Sequence, residues 1–259
     1  MATELKALIF DVDGTLADNE RDGHRVAFNR AFEEARLGWH WDVPIYDLLL
    51  EVFGGKERIH YFIKRFRPGF DAPDGLDAFV RQLHERKTHH YMELLKSGAI
   101  PLRPGVERLL REARAADLKL AVASTTTPEN VTVLLRETIG KESLDWFDVI
   151  AAGDVVANKK PAPDIYEYAL EQLGLDAAEC LVIEDTEAGL ASAKAAGLVT
   201  VITVNGATRD QDFSGAAIVL DQLGEPGRPF EVLAGDAGQA TLVDVALLRR
   251  LHTAAVKQS

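Results

Sequence analysis

Five short apolar runs constrain the fold of this chain more than any other feature of its sequence. Each run is rich in aliphatic residues and is too short and too continuous for an amphipathic helix. Such runs predict strands that are buried on both faces, which is typical of a parallel sheet. The five runs cover residues 5–10, 118–123, 149–152, 181–183 and 199–204.

Helical patterns follow the later runs. The predicted helices are 106–116, 128–138, 162–173 and 186–196. The third begins among prolines at 161 and 163 and stops at Gly174, and the fourth stops at Gly197, which are common helix boundaries. This alternation of strand and helix predicts an α/β protein with a doubly wound parallel sheet.

One long block breaks the alternation between the first run and Pro101. It carries four helical patterns separated by glycines, at 20–37, 45–52, 56–66 and 76–96. Because a loop of this length is implausible in a compact domain, we expect an inserted α-helical domain. The expected domains are an α/β core at 1–17 and 100–222, a helical cap at 18–99, and a C-terminal extension at 223–259. The extension ends in a helix that either docks on the core or forms a subunit contact.

Composition and charge exclude several classes of protein. The 259 residues include 29 basic and 41 acidic side chains, a net charge of -12, so general binding to nucleic acid or anionic membranes is not expected. No apolar run is long enough to span a membrane, and no signal peptide is visible. The single cysteine, Cys180, excludes an internal disulfide. We expect a cytoplasmic protein acting on a small molecule, a monomer with a dimer as the alternative.

The carboxyl ends of the predicted strands carry the chemically competent residues. Ligands of open parallel sheets bind at this edge. Of two adjacent lysines in one loop, Lys160, before Pro161, is the candidate for the site, and Lys159 is the candidate surface charge. The strand ends deliver Asp11 and Asp13, Ser124 and Thr125, Lys159 and Lys160, and Glu184 and Asp185.

Several carboxylates at one edge repel each other and require a cation, and oxygen ligands favour Mg²⁺. Such a site suits phosphoryl transfer. Asp11 can attack phosphorus, and Asp13 can act as general acid and base. Lys160 and a hydroxyl can bind the phosphoryl oxygens. Glu184 either binds the metal or orients the lysine.

The predicted cap carries cations suited to a second phosphate. Lys56 and Arg58 follow a Gly54-Gly55 turn that opens a helix, which is a favourable place for an anion. His84 and Lys87 share a face of the next long helix, while Arg86 points further round. A solvated helix start is the alternative for the Gly54-Gly55-Lys56 turn, and an exposed helix residue without a function is the alternative for His84. The Walker phosphate-loop pattern fails here because position 50 is leucine.

Four segments together resemble the haloacid dehalogenase-like (HAD) hydrolases. They are DVDGTL at 11–16, Ser124 after a strand, KPAPD at 160–164, and Glu184-Asp185, with the helical insert between the first and second. The segments DGHR at 22–25, GGKERI at 54–59 and IAAGD at 150–154 resemble the CbbY-like branch of that family.

The resemblance implies Mg²⁺-dependent hydrolysis of a sugar bisphosphate. The CbbY-like branch includes phosphatases for xylulose 1,5-bisphosphate, an inhibitor of Rubisco. A mutase resembling β-phosphoglucomutase and a phosphoglycolate phosphatase are the alternatives. The resemblance places the metal on Asp11, the carbonyl of Asp13, and Asp185. It implies substrate contacts from Glu20, Gly54, Gly55, Lys56, Glu57, Arg58, His84, Arg86, Lys87, Ser124, Thr125, Thr126 and Asn130.

Overall fold

The chain divides into two compact units. The computed structural model describes residues 3–52, 54–73 and 75–257. One unit, which we call the core unit, combines Met1–Asp18 with Pro101–Ser259, and the other, the insert unit, is Asn19–Ile100. The core unit is therefore assembled from two separate stretches of the sequence.

A twisted sheet forms the centre of the core unit. In its described part the strand order is β3-β2-β1-β4-β5-β6-β7, and neighbouring strands are parallel except for β6 and β7. This mostly parallel sheet confirms the predicted α/β class. The strands are β1 Ala7–Phe10, β2 Lys119–Ser124, β3 Val149–Ala152, β4 Cys180–Glu184, β5 Val199–Thr203, β6 Ile218–Leu220 and β7 Val232–Gly235.

Helices account for most of the remaining regular structure. The insert unit contains α1 Arg25–Glu34, α2 Val43–Leu49, α3 Gly55–Phe66 and α4 Leu76–Lys96. The core unit contains α5 Val106–Ala115, α6 Pro128–Thr138, α7 Asp164–Leu173, α8 Glu187–Ala195 and α9 Val245–Val256. None of the helices in the described part of the chain has the length and apolar character that crossing a membrane requires.

The inner strands are buried on both faces, as their uninterrupted apolar sequences predict. Every residue of β1 is fully buried. One sheet face packs against α7 and α8 around Ile9, Val182 and Tyr166. Further helical cover comes from α5, which contacts β2, and from α9, which contacts β5 and α5.

Two strands were not anticipated from the sequence. β6 has only three residues, and β7 is an antiparallel edge strand with largely exposed residues, so neither forms a long apolar run. The fourth strand also begins earlier than the apolar run at 181–183 predicts, because Cys180 is the first residue of β4.

The insert unit has its own aromatic core. Trp41 packs against Phe28, Phe32 and Phe62, with ring centroids between 4.6 and 5.2 Å apart. The predicted first helix at 20–37 is not a single α-helix. A π-helical turn at Glu20–His24 precedes α1, which ends at Glu34.

The C-terminal helix α9 docks within the core unit. Asp244 caps it by accepting a hydrogen bond from the backbone of Leu247 at 2.7 Å. Leu247, Leu248 and Leu251 are buried. The apolar face that the sequence shows is therefore covered by the chain's own core unit.

We predict that the thiol of Cys180 is inert in the folded protein. Cys180 is fully buried, and burial raises the pKa of its thiol to about 12. At about pH 8 a disulfide reagent such as DTNB should therefore modify less than about a tenth of the thiol, because the thiolate is the reactive species. In guanidinium chloride the single cysteine should react completely. Rapid labelling of the native chain would contradict the buried, protonated thiol.

Candidate active site

The ends of β1 and β4 bring three carboxylates together. Phe10 pairs with Ile183 in the parallel register, so Asp11 and Glu184 leave neighbouring strands at the same level. Single oxygen atoms of Asp11, Glu184 and Asp185 lie within 4.8 Å of one another, and all three residues are buried. Four of the sequence-predicted residues meet here, because Lys160 also enters this group.

Lys160 is buried between two of the carboxylates. Its Nζ donates hydrogen bonds to Oδ1 of Asp11 at 2.8 Å, to Oε1 of Glu184 at 2.6 Å and to the carbonyl of Ala123 at 2.9 Å. Burial by itself lowers the pKa of the ammonium, but the carboxylates outweigh this effect and hold the pKa of Lys160 well above its usual value. Lys160 is therefore a permanent positive charge in the site.

Glu184 is held by protein donors at both of its oxygens. Besides Lys160, Oε1 accepts the hydroxyl of Tyr166 at 3.1 Å. Oε2 accepts the backbone N–H groups of Asp185 and Thr186 at 2.8 and 3.1 Å, and the Thr186 hydroxyl at 3.2 Å. Its orientation is thus fixed before any ligand binds.

Asp185 lies against the turn that follows β1. Its Oδ1 accepts the hydroxyl of Thr15 at 3.0 Å, and its Oδ2 accepts the amide of Asn205 at 2.7 Å. A Cβ atom on Gly14 would lie 2.2 Å from Oδ2, and Gly14 has a φ of 92°. Only glycine satisfies both the close approach and the backbone conformation at this position.

The buried negative charge of this group is incompletely compensated. Burial raises the pKa of Asp11 to about 7, with a further increase from Glu184 and opposition from Lys160. Burial, Glu184 and Asp11 hold the pKa of Asp185 well above its usual range. Carboxylates that resist ionisation in this way, and whose own ligand atoms are all oxygens, fit a bound hard divalent cation.

Ser124 lies at the same edge of the sheet as the carboxylates. It is the last residue of β2, is buried, and its Oγ lies 3.4 Å from the backbone nitrogen of Thr126. Asn130 donates to the hydroxyl of Thr126 at 3.0 Å. The N-cap of α6 is Thr127, not Ser124, so the serine is not occupied in capping that helix.

Three more residues from the predicted strand ends have distinct surroundings. Asp13 is half-buried and forms an isolated bridge with Ala17 in the turn after β1. Lys159 does not join the buried carboxylates that Lys160 contacts; its ammonium lies 3.1 Å from the carboxylate of Asp154. Thr125 is half-buried, directly after β2.

Within the insert unit, two of the predicted residues, Arg58 and Glu20, lie next to each other and share a hydrogen-bond partner. Arg58 is buried, and its guanidinium donates to the hydroxyl of Tyr46 at 2.9 Å and to the carbonyl of Leu49 at 3.1 Å. The Tyr46 hydroxyl donates to Glu20 at 2.5 Å, and Glu20 lies 3.6 Å from Arg58. The charge of Arg58 is therefore shared with a carboxylate.

The start of α3 brings other predicted residues together. Gly54 has a φ of 94° and precedes the helix, and Lys56 lies half-buried in its first turn, beside the exposed Glu57. A Cβ atom on Gly55 would lie 2.4 Å from Nε2 of His84. Glycine at this position lets the imidazole approach the helix N-terminus, next to a lysine.

The two remaining residues of α4 point in different directions. Lys87 is buried, with its Nζ 2.7 Å from Nδ1 of His24 and over the rings of Phe28 and Tyr91. Arg86 is exposed and lies 3.7 Å from Glu34 of α1. The structure does not bring Arg86 to the face that carries Lys87.

Sequence reasoning missed three residues that build the carboxylate group. Asn205 lies two residues beyond the last residue of β5, and the rule that strand ends carry ligands would have identified it. Thr15 lies inside the DVDGTL segment at 11–16, but the sequence pattern gave it no function. Tyr166 lies within α7, and no local pattern signals its contact with Glu184.

Comparisons with known proteins agree with this geometry. Residues 5–197 match the haloacid dehalogenase-like hydrolase family. The protein CbbY of Cupriavidus necator is 45% identical over 96% of this chain and 97% of its own length. A phosphorylated carbohydrates phosphatase of Thermotoga maritima is 32% identical over 77% of this chain and 85% of its own length. A crystal structure of variant CbbY from Rhodobacter sphaeroides, in complex with xylulose-(1,5)bisphosphate, is 41% identical, covering 84% of this chain and 94% of that one, with a TM-score of 0.79.

The chain belongs to the haloacid dehalogenase-like hydrolase family, and it is an enzyme of the phosphatase type. Within that family it is similar to the CbbY proteins, as its insert and core motifs predict.

We predict that Gly189→Ala disrupts the carboxylate group. A Cβ atom at position 189 would lie 1.9 Å from Oε1 of Glu184, which five donors hold in place. Alanine favours helix by about 1 kcal/mol, yet we expect a net loss of about 1–3 kcal/mol in the free energy of unfolding. Phosphatase activity should fall at least about tenfold, as for other displaced supporting residues.

Gly69→Ala is the matched control for this substitution. No atom lies within 4 Å of a Cβ at that position. Denaturant unfolding and phosphate release should match the parent protein. If Gly189→Ala behaves like this control, Glu184 has more freedom than its contacts indicate.

Proposed function

We propose that the chain is a Mg²⁺-dependent phosphatase of sugar bisphosphates, with xylulose 1,5-bisphosphate as substrate. The observation that carries the reaction type is the buried group in which Lys160 bridges Asp11 and Glu184 beside Asp185. The choice of substrate is supported by the complex of the similar CbbY protein with that sugar.

In the proposed reaction, Asp11 is the nucleophile. One oxygen of its carboxylate attacks phosphorus, and the bond from phosphorus to the sugar oxygen breaks. Asp13 donates a proton to the departing sugar oxygen. Asp13 then takes a proton from the water whose oxygen attacks phosphorus, and the bond from phosphorus to the Asp11 oxygen breaks. Inorganic phosphate and a sugar monophosphate leave, and both aspartates return to their initial state.

The metal ligands in this proposal are Asp11, the backbone carbonyl of Asp13, and Asp185. Mg²⁺ bound there offsets the negative charge of the phosphoryl oxygens. We assign Glu184 to orienting Lys160, because both of its oxygens already accept hydrogen bonds from protein donors. The sequence-based alternative, in which Glu184 binds the metal through water, remains compatible with its position near the other carboxylates.

Lys160 and the residues after β2 have positioning roles in this proposal. Lys160 fixes one oxygen of Asp11 and supplies positive charge near the phosphoryl group. Ser124 binds a phosphoryl oxygen through its hydroxyl. Thr126 and Asn130, which bond to each other, support the loop, and Thr125 faces the substrate.

The insert unit binds the second phosphate in this proposal. Lys56 and the N–H groups that open α3 form the anion site, with His84 beside them. Arg58 supports this site from its buried position, since its charge is shared with Glu20. Lys87 on α4 is a further cation that we propose for the substrate, whereas Arg86 lies beside Glu34 on a different face of that helix.

We predict strong release of phosphate from xylulose 1,5-bisphosphate in the presence of Mg²⁺. Its kcat/KM should exceed that for ribulose 1,5-bisphosphate, 2-phosphoglycolate and β-glucose 1-phosphate by at least about tenfold. Chelation of the metal should abolish turnover. Asp11→Asn should lower kcat at least about 1,000-fold, because the nucleophile is lost. Conversion of β-glucose 1-phosphate without release of phosphate would instead support a mutase, and preference for 2-phosphoglycolate a phosphoglycolate phosphatase.

We predict that Lys56→Gln raises KM for the bisphosphate by about 10- to 100-fold, since a charged hydrogen bond contributes about 1.5–3 kcal/mol. The KM for 2-phosphoglycolate, which has one phosphate, should not change. Lys64→Gln is the control, because Lys64 lies in the last turn of the same helix and is exposed. Equal effects of Lys56→Gln on both substrates would contradict an anion site for the second phosphate.

A further inference from the structure

A half-buried arginine outside the recognised motifs holds the turn that follows β1. The guanidinium of Arg103 donates to the carbonyl of Gly14 through Nη1. It also donates to the carbonyls of Thr203 at 2.8 Å, Val204 at 2.6 Å and Asp221 at 2.8 Å. One side chain thus joins the first turn of the site to the ends of β5 and β6.

The main chain around Arg103 holds the other side of the same turn. Its N–H donates to the carbonyl of Leu16 at 2.9 Å, and Leu102 forms a bridge with Ala17. The turn from Gly14 to Ala17 is therefore fixed by both the backbone and the side chain of a segment far away in sequence.

The held carbonyl belongs to the residue that sets the position of Asp185. Gly14 packs so closely on Oδ2 of Asp185 that a Cβ there would lie 2.2 Å away. The neighbouring Thr15 donates to Oδ1 of the same carboxylate at 3.0 Å. A shift of Gly14 therefore changes the spacing between Asp185 and the turn that carries Asp13.

The acceptors of Arg103 explain why the residue is an arginine. All are neutral oxygens, from three separate strand ends or turns, and Arg103 forms no ion pair among the described residues. A planar fork with five donors can reach them together, whereas the single nitrogen of lysine cannot. The Arg103 guanidinium therefore joins several backbone segments and does not pair with a single carboxylate.

We propose that Arg103 is a positioning residue that holds the Gly14 turn at the distance from Asp185 that cation binding requires. The inference rests on the proposed metal-dependent function, because it assigns a supporting residue to that same site. Arg103 itself touches neither the substrate nor the reacting atoms.

The test compares Arg103→Lys and Arg103→Gln with Arg108→Lys. Arg108 is a matched control, because its Nη2 also donates to three carbonyls, those of Leu223, Gly224 and Val243, away from the Gly14 turn. For each protein, titration calorimetry with Mg²⁺ alone measures the affinity for the metal. Denaturant unfolding without metal measures stability, and steady-state kinetics measures kcat.

Both Arg103 variants should bind Mg²⁺ about 10- to 100-fold more weakly than the parent, as for other outer supports of metal ligands. Arg108→Lys should lose comparable stability but keep the parent's affinity for Mg²⁺. At saturating Mg²⁺, the Arg103 variants should recover much of their kcat.

Chemical rescue provides a second readout. A surface cavity of about 370 Å³ is lined by Arg103, Asn205, Asp221 and Gln222 among others. Free guanidinium ion should enter it in Arg103→Ala and restore Mg²⁺ affinity at least about threefold, an effect that ethylammonium, with one nitrogen, should not reproduce.

Three results would overturn the proposal. The first is full Mg²⁺ affinity in Arg103→Lys, because charge alone would then suffice. The second is a loss of Mg²⁺ affinity in both Arg103 variants that is no greater than in Arg108→Lys. The third is failure of all Arg103 variants to fold while Arg108→Lys folds, which would make Arg103 a purely structural residue. If the parent protein neither binds Mg²⁺ nor releases phosphate, the proposed function itself fails, which is a distinguishable outcome.

Discussion

The hydrogen-bonded bridge from Asp11 through Lys160 to Glu184 is the interaction on which the site depends. Carboxylates buried this deeply would otherwise favour their protonated forms. The lysine lowers that cost for two of them and, at the same time, fixes their relative orientation. Because β1 and β4 are adjacent parallel strands, the bridge also joins the first motif to the last across the centre of the sheet.

The crowding around this bridge explains why small residues surround it. Gly14 and Gly189 each lie where a single added carbon would collide with a carboxylate oxygen. Glycine is thus used here for space as much as for backbone freedom. Both oxygens of Glu184 and of Asp185, and one oxygen of Asp11, accept hydrogen bonds from protein donors, so much of the site is ordered by the protein itself before a ligand arrives.

Much of the site was predictable from sequence because its residues lie at strand ends. The contacts between side chains were not predictable. Asp11, Ser124 and Asp185 follow apolar runs, and the rule for parallel sheets places such residues at one edge. β6 and β7 were missed because β6 has only three residues and three of the four residues of β7 are exposed, so neither forms an apolar run. Long-range contacts such as those of Arg103 have no local signature. The neutralisation of Arg58 by Glu20 was equally invisible, since 38 positions separate them in the sequence.

The aromatic interior of the insert unit has a consequence for optical spectroscopy. Of the three tryptophans in the chain, Trp39 and Trp41 lie in that interior, among phenylalanine rings. Trp146 lies in the core unit, with the guanidinium groups of Arg111 and Arg114 over its ring at 4.8 and 5.0 Å. Two of the three indoles therefore report on the insert unit. A melting curve recorded by fluorescence emission follows mainly the unfolding of that unit, because the larger core unit contributes a single indole.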